Sequence, residues 1–210
     1  MTGPHLVYFG DPMCSWCWGF SPVIDAITRR FGDALPVRLV LGGLRPGNTS
    51  AMTALDRAEI REHWEHVRDA SGQPFDFSFF GRAGFVYDTE PASRAVVVFR
   101  QQGMTSGLTA LARIQRAFYA ENRDVTATDV LTDLAIGLGL DDASFRTQFN
   151  AATVAEETEQ DFAMTQQAGI RGFPTLIAGT GDERGYALVT SGFQLADVLI
   201  PALKAWLEKL

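Results

Sequence analysis

Cys14 and Cys17 are the only cysteines in this 210-residue chain, and they stand together as Cys14-Ser15-Trp16-Cys17 right after the apolar run His5-Leu6-Val7-Tyr8-Phe9-Gly10. A dithiol at a strand-to-helix corner is the signature of a redox site. A helix beginning at Cys14 points free backbone N–H groups at its sulfur, and their partial positive charge favours the thiolate, the reactive form.

Two plainer readings of the pair are weaker. A structural disulfide across so short a loop removes little unfolded-state entropy, because that stabilisation grows with loop length. A zinc site needs four ligands, and the other candidates at suitable spacing, His63 and His66, lie far along the chain on a polar helix where a solvated face is expected. No metal is expected.

With 46% hydrophobic residues the chain can bury a substantial core, as one domain or one domain with an insertion. A net charge of −7 and scattered Lys and Arg argue against a nucleic-acid partner. The first residues lack a basic segment followed by an apolar stretch, and no apolar run reaches the ~18 residues that span a bilayer. The expectation is a cytoplasmic protein without a membrane partner, and in a reducing compartment a lone CxxC is catalytic rather than structural.

Hydrophobic periodicity orders the rest. His5 to Gly10 reads as a strand, Cys14 to Phe31 as a helix with Pro22 inside it, and Val37 to Leu41 as a second strand, parallel to the first. From Thr53 the period is helical for more than a hundred residues. Helices are expected over about Thr53 to Ala70, Pro91 to Gln102, Ser106 to Tyr119, Thr126 to Gly137, Asp142 to Asn150 and Thr153 to Ala168, the last opened by a Thr153–Glu156 capping box. The aromatic stretch Phe75-Asp76-Phe77-Ser78-Phe79-Phe80 reads as core between helices rather than a substrate surface. Strands then return at Thr175 to Ala178 and Tyr186 to Val189, joined as a hairpin through Gly179-Thr180-Gly181-Asp182-Glu183-Arg184-Gly185. A last helix from about Gln194 to Leu210 is expected to bury Leu195, Val198, Leu199, Leu203, Trp206 and Leu207. The order is βαβ, a helical insertion, then ββα.

Gly172-Phe173-Pro174-Thr175 opens the third strand, where thioredoxin-like folds carry a cis-proline loop facing the dithiol. Local chemistry alone favours a trans bond, and the topology reverses that expectation. Phe173 would then offer backbone groups to an extended substrate beside Cys14.

Together these motifs resemble the DsbA-like thioredoxin family, and within it the FrnE-like cytoplasmic thiol-disulfide oxidoreductases or isomerases. The resemblance covers essentially the whole chain. It is strongest at Asp11-Pro12-Met13-Cys14-Ser15-Trp16-Cys17-Trp18-Gly19-Phe20, with support from Gly42-Gly43-Leu44-Arg45-Pro46, Pro91-Ala92-Ser93-Arg94-Ala95 and Gly172-Phe173-Pro174-Thr175. It implies an α/β thioredoxin-like fold with a large all-helical insertion, divided at residues 1–48, 49–152 and 153–210. It also implies that Cys14 attacks and Cys17 resolves, with Trp16, Phe173 and Pro174 as the substrate-binding surface. Two departures stand out. Tyr8 occupies the place of a buried acid six residues before the first cysteine, and Tyr is a poor proton acceptor near neutrality. Ser93 stands where close relatives may place a further thiol. The nearest acid, Asp11, is a candidate proton acceptor for Cys17, a helix cap or a turn former.

The expected reaction is dithiol–disulfide exchange on a disulfide-containing protein or small molecule, with no bound cofactor and recycling by an external thiol such as glutathione or a partner reductant. The alternatives are a glutathione-dependent transferase or isomerase of the kappa-class type and a non-enzymatic holdase-type binding protein. Oligomeric state is left open by the sequence.

Overall fold

The computed structural model describes residues 3–181 and 185–210. Two strands and a helix come first: β1 (His5–Gly10), α1 (Ser15–Phe31) and β2 (Val37–Leu41). Six helices follow: α2 (Ala54–Ser71), α3 (Glu90–Arg100), α4 (Met104–Tyr119), α5 (Thr128–Gly137), α6 (Asp142–Phe149) and α7 (Ala152–Gln167). The chain closes with β3 (Thr175–Gly179), β4 (Tyr186–Ser191) and α8 (Ala196–Leu207). This is the DsbA-like thioredoxin arrangement, a four-stranded mixed sheet with a helical insertion between its two halves.

The sheet runs β2-β1-β3-β4. β1 pairs with β2 in parallel, Tyr8 opposite Leu39, and with β3 antiparallel, Tyr8 opposite Leu176 and Phe9 opposite Thr175. That register sets the start of β3, and Pro174 just before it, beside the end of β1 where the chain turns toward the cysteines. β3 and β4 pair antiparallel as the hairpin reading requires, while its connecting residues 182–184 lie outside the described residues.

Alternation along β1 divides its side chains between two faces. Leu6 and Tyr8 join the main core with Phe20 and Ile24 of α1 and most of the helical block, whereas Val7, Phe9 and Val40 pack with Ile170, Phe173 and Ile177 on the other face. At the sheet edge, the outward groups of β2 are taken by side chains rather than by another strand. Leu39 N–H donates to Met104 Sδ (3.1 Å) and Leu41 N–H to Asp161 Oδ2 (2.9 Å). Leu39 C=O accepts from Arg100 (3.1 Å) and Leu41 C=O from Thr165 (3.0 Å). The insertion thus closes an edge that would otherwise offer itself to another chain.

The aromatic stretch is core. Trp64 of α2, itself fully buried, lies 4.9 Å from the ring of Phe79 and 5.2 Å from that of Phe75. Two local expectations need correction. α7 starts at Ala152 with Ala151 as its cap and no side-chain cap bond, so the Thr153–Glu156 box does not form there. A capping box does form at Thr53 with Asp56, at the start of α2. On α8, Leu195 and Val198 are about half exposed, while Leu199 and Leu203 carry the buried face.

Candidate active site

Cys14 is the N-cap of α1, with extended backbone angles, and its Sγ accepts the Cys17 backbone N–H at 3.3 Å. An N-cap normally uses a side-chain oxygen for this bond. Here the sulfur takes that place, so the helix start and the dithiol are one structure. Both cysteines are free thiols; Cys14 keeps 7% of its surface exposed and Cys17 none. Burial pushes the Cys17 thiol well above its ordinary range, and the neighbouring Cys14 adds to the effect.

On the other side of Cys14 stands the loop before β3. The Phe173–Pro174 peptide is cis, as the topology predicts. Across 159 residues of sequence, the Cys14 thiol donates to the Phe173 C=O at 3.6 Å. The Phe173 ring turns away from the cysteines and packs over Gly42, where any Cβ would collide with it. Backbone rather than ring therefore faces the dithiol. Trp16 is half-buried with its ring 5.8 Å from that of Phe193, so it is less open than its position at a helix start suggests.

Asp11 is fully buried and does not cap α1. Its Oδ1 accepts the Met13 N–H and its Oδ2 the Leu44 N–H, each at 2.8 Å, so the side chain ties the turn before Cys14 to the loop after β2. Burial pushes its carboxyl up to about 6, against the lowering effect of those N–H groups and of Thr89.

Three residues of the insertion hold the same turn and were not singled out in sequence. Tyr87 donates its hydroxyl to Met13 C=O at 2.6 Å and meets the Tyr119 hydroxyl at 3.3 Å. Gln115 Nε2 donates to Asp11 C=O at 3.3 Å. Tyr119 also stacks on Trp18, whose indole N–H donates to Pro74 C=O at 3.0 Å. Helical periodicity marks Gln115 and Tyr119 of α4 as buried and leaves Tyr87, in the loop before α3, unmarked, and nothing local says that their polar ends reach the cysteine turn. Among the described residues, no three His, Cys, Asp or Glu side chains gather as a metal site, and His63 and His66 are exposed on α2. No helix among those residues is long and apolar enough to cross a membrane.

Residues 5–199 match the DSBA-like thioredoxin domain. This chain belongs to that family. A candidate protein disulfide isomerase from Nitrosomonas europaea superposes with a TM-score of 0.90 at 36% identity, covering 99% of this chain and 98% of that one. The cytosolic disulfide reductase DsbM from Pseudomonas aeruginosa, in a structure with GSH, gives a TM-score of 0.78 at 26% identity, covering 97% and 99%. Among curated proteins the ClpXP adapter protein SpxH from Bacillus subtilis is 24% identical over 181 residues, which are 82% of this chain. That match spans only 57% of the adapter's length.

Proposed function

We propose that this protein is a thiol–disulfide oxidoreductase of the cytoplasm, working on disulfides of proteins or small molecules through Cys14 and Cys17. The observation that carries this reading is the placement of Cys14 Sγ between the Cys17 N–H of a helix start and the Phe173 C=O of the loop before β3. Donors at the helix start stabilise negative charge on the sulfur whether it is attacking or leaving. Once Cys14 is a thiolate it no longer donates to the Phe173 C=O, and the backbone there would hold an extended substrate by strand-like hydrogen bonds, with Trp16 and Pro174 beside it.

In the reducing direction Cys14 thiolate attacks one sulfur of the substrate disulfide, and the other leaves as a thiolate. Cys17 then attacks Cys14, releasing the second substrate thiol and leaving a Cys14–Cys17 disulfide. An external thiol such as glutathione, or a partner reductant, restores the dithiol, since the chain has no third cysteine. No bound cofactor enters the cycle.

Titrating the Cys14–Cys17 couple against glutathione tests the reading and separates reductant, isomerase and oxidant by the position of the equilibrium. Cys14→Ser abolishes exchange, and Cys17→Ser accumulates mixed disulfides with substrate. Exchange that survives replacement of both cysteines overturns the proposal. The similarity to SpxH favours one second reading, an adapter that binds a partner protein. Binding of that kind persists in the double Cys14→Ser, Cys17→Ser variant, which is how the two are told apart.

A further inference from the structure

The loop that faces Cys14 is pinned at few points. Arg171 and Gly172 are exposed, and a Cβ built on Gly172 would meet nothing within 4 Å. Around them, Ile170 N–H donates to Thr165 C=O at 3.1 Å, Thr175 Oγ1 donates to Gly172 C=O at 2.8 Å, and Gly192 N–H donates to Pro174 C=O at 2.8 Å. None of these three bonds is made by Phe173, whose C=O faces Cys14. Its anchor is its ring, packed with Val7, Phe9 and Val40.

Val7 and Phe9 stand opposite Ile177 and Thr175 on one face of the sheet, and Phe9 also stands opposite Val40. By the two-residue period of a strand, Phe173 continues that face from β3 and Gly42 continues it from β2. β1 lies between those strands, so the Phe173 ring reaches across its end to Gly42. The fit leaves no room for a side chain. A Cβ on Gly42 would stand 2.4 Å from Phe173 Cζ, 2.5 Å from Cε1 and 2.7 Å from Cε2. Backbone conformation gives no reason for glycine here, since φ of Gly42 is not positive, whereas Gly43 next to it has φ +65°. The ring is the reason. Gly42 is itself held firmly: its N–H donates to Gly10 C=O at 2.8 Å, and Leu41 before it is bonded through both backbone groups to Asp161 and Thr165 of α7.

We propose that Gly42 is a positioning residue for the exchange reaction: the slot left by its missing side chain seats the Phe173 ring and so sets where the Phe173 backbone stands opposite Cys14. This rests on the oxidoreductase reading above. A polypeptide disulfide, which can pair with that backbone, depends on the seat, whereas a small disulfide without a peptide backbone does not. Through Leu41 the seat is tied to α7, so the loop takes its position from the helical insertion as well as from the sheet.

The test compares steady-state reduction of two disulfides that share a leaving thiol, with dithiothreitol as terminal reductant and the uncatalysed rate subtracted. One is 2-hydroxyethyl disulfide; the other is a short extended peptide whose central cysteine carries a mixed disulfide with 2-mercaptoethanol. Gly42→Ala should raise KM for the peptide about tenfold with little change in kcat, and shift neither constant for 2-hydroxyethyl disulfide by more than about twofold. Leucine lacks the three ring atoms that a Cβ at position 42 would strike. In a Phe173→Leu background, Gly42→Ala should therefore raise the peptide KM by less than about twofold. An unchanged peptide KM in Gly42→Ala, an equal loss on both disulfides, or the same penalty in the Phe173→Leu background overturns the assignment. Should Gly42→Ala fail to fold, Phe173→Leu alone decides, since withdrawing the ring from the slot should raise KM for the peptide selectively, and equal or absent effects on the two disulfides overturn the seat. A wild-type protein that reduces neither disulfide removes the oxidoreductase reading itself.

Discussion

Asp11 shows how burial and hydrogen bonding compete on one carboxyl. Desolvation is the larger effect, so the folded protein holds this proton up to about pH 6, while an unfolded chain releases it near the ordinary 3.8. Stability from this group is whole below the unfolded value and is lost as pH rises through the folded one. The loss amounts to about 3 kcal/mol. Urea unfolding across that interval should show the decline, and Asp11→Asn should flatten it while lowering stability throughout, because an amide cannot accept from both Met13 and Leu44. An unchanged slope in the variant would mean that Asp11 is not the group responsible. The two thiols differ as sharply in access: native protein should take one equivalent of alkylating agent, at Cys14, and Cys14→Ser protein should take none until denatured, as followed by mass spectrometry.

The last helix illustrates what periodicity can and cannot choose. From Leu195 to Leu207 apolar residues outnumber polar ones so heavily that several adjacent helical stripes look equally buried. α8 meets the core with Ala196, Leu199, Ile200, Leu203 and Leu207, one residue out of phase with a stripe through Leu195 and Val198. Leu199→Ala should therefore destabilise by about 2–5 kcal/mol in denaturant titration, and Val198→Ala by no more than about 0.5 kcal/mol. Equal losses at the two positions would reverse this assignment of faces. The start of α7 has a similar origin. Thr153 and Glu156 have the right spacing for a box, but the chain turns at Asn150 and is extended only at Ala151, so the helix begins two residues too soon for Thr153 to cap it.

Across the whole molecule the insertion is bound to the sheet by a buried ion-pair cluster. Arg100 of α3 pairs with Asp161 and, at 2.7 Å, with Glu157 of α7, while also donating to β2. Arg100→Ala leaves Asp161 buried without its counterion and should cost about 3–5 kcal/mol. Removing Arg146, which joins Asp129 and Asp142 at the solvent-screened surface, should cost far less than removing Arg100. Thermal and denaturant unfolding of the two variants side by side would expose an error in this ranking. The sequence by itself determined that a dithiol sits where a strand turns into a helix, that strands flank a helical block, and that Pro174 opens a strand on its far side. Strand and helix periods report local burial, and CxxC is a local motif, so these needed no knowledge of distant partners. Only the tertiary structure decided that the Phe173 carbonyl stands opposite Cys14, that Tyr87 and Gln115 hold the turn before it, and that the Tyr8 ring lies over Gly10. Each of these depends on how side chains meet across the fold, and on directions that a pattern of burial along the chain does not encode.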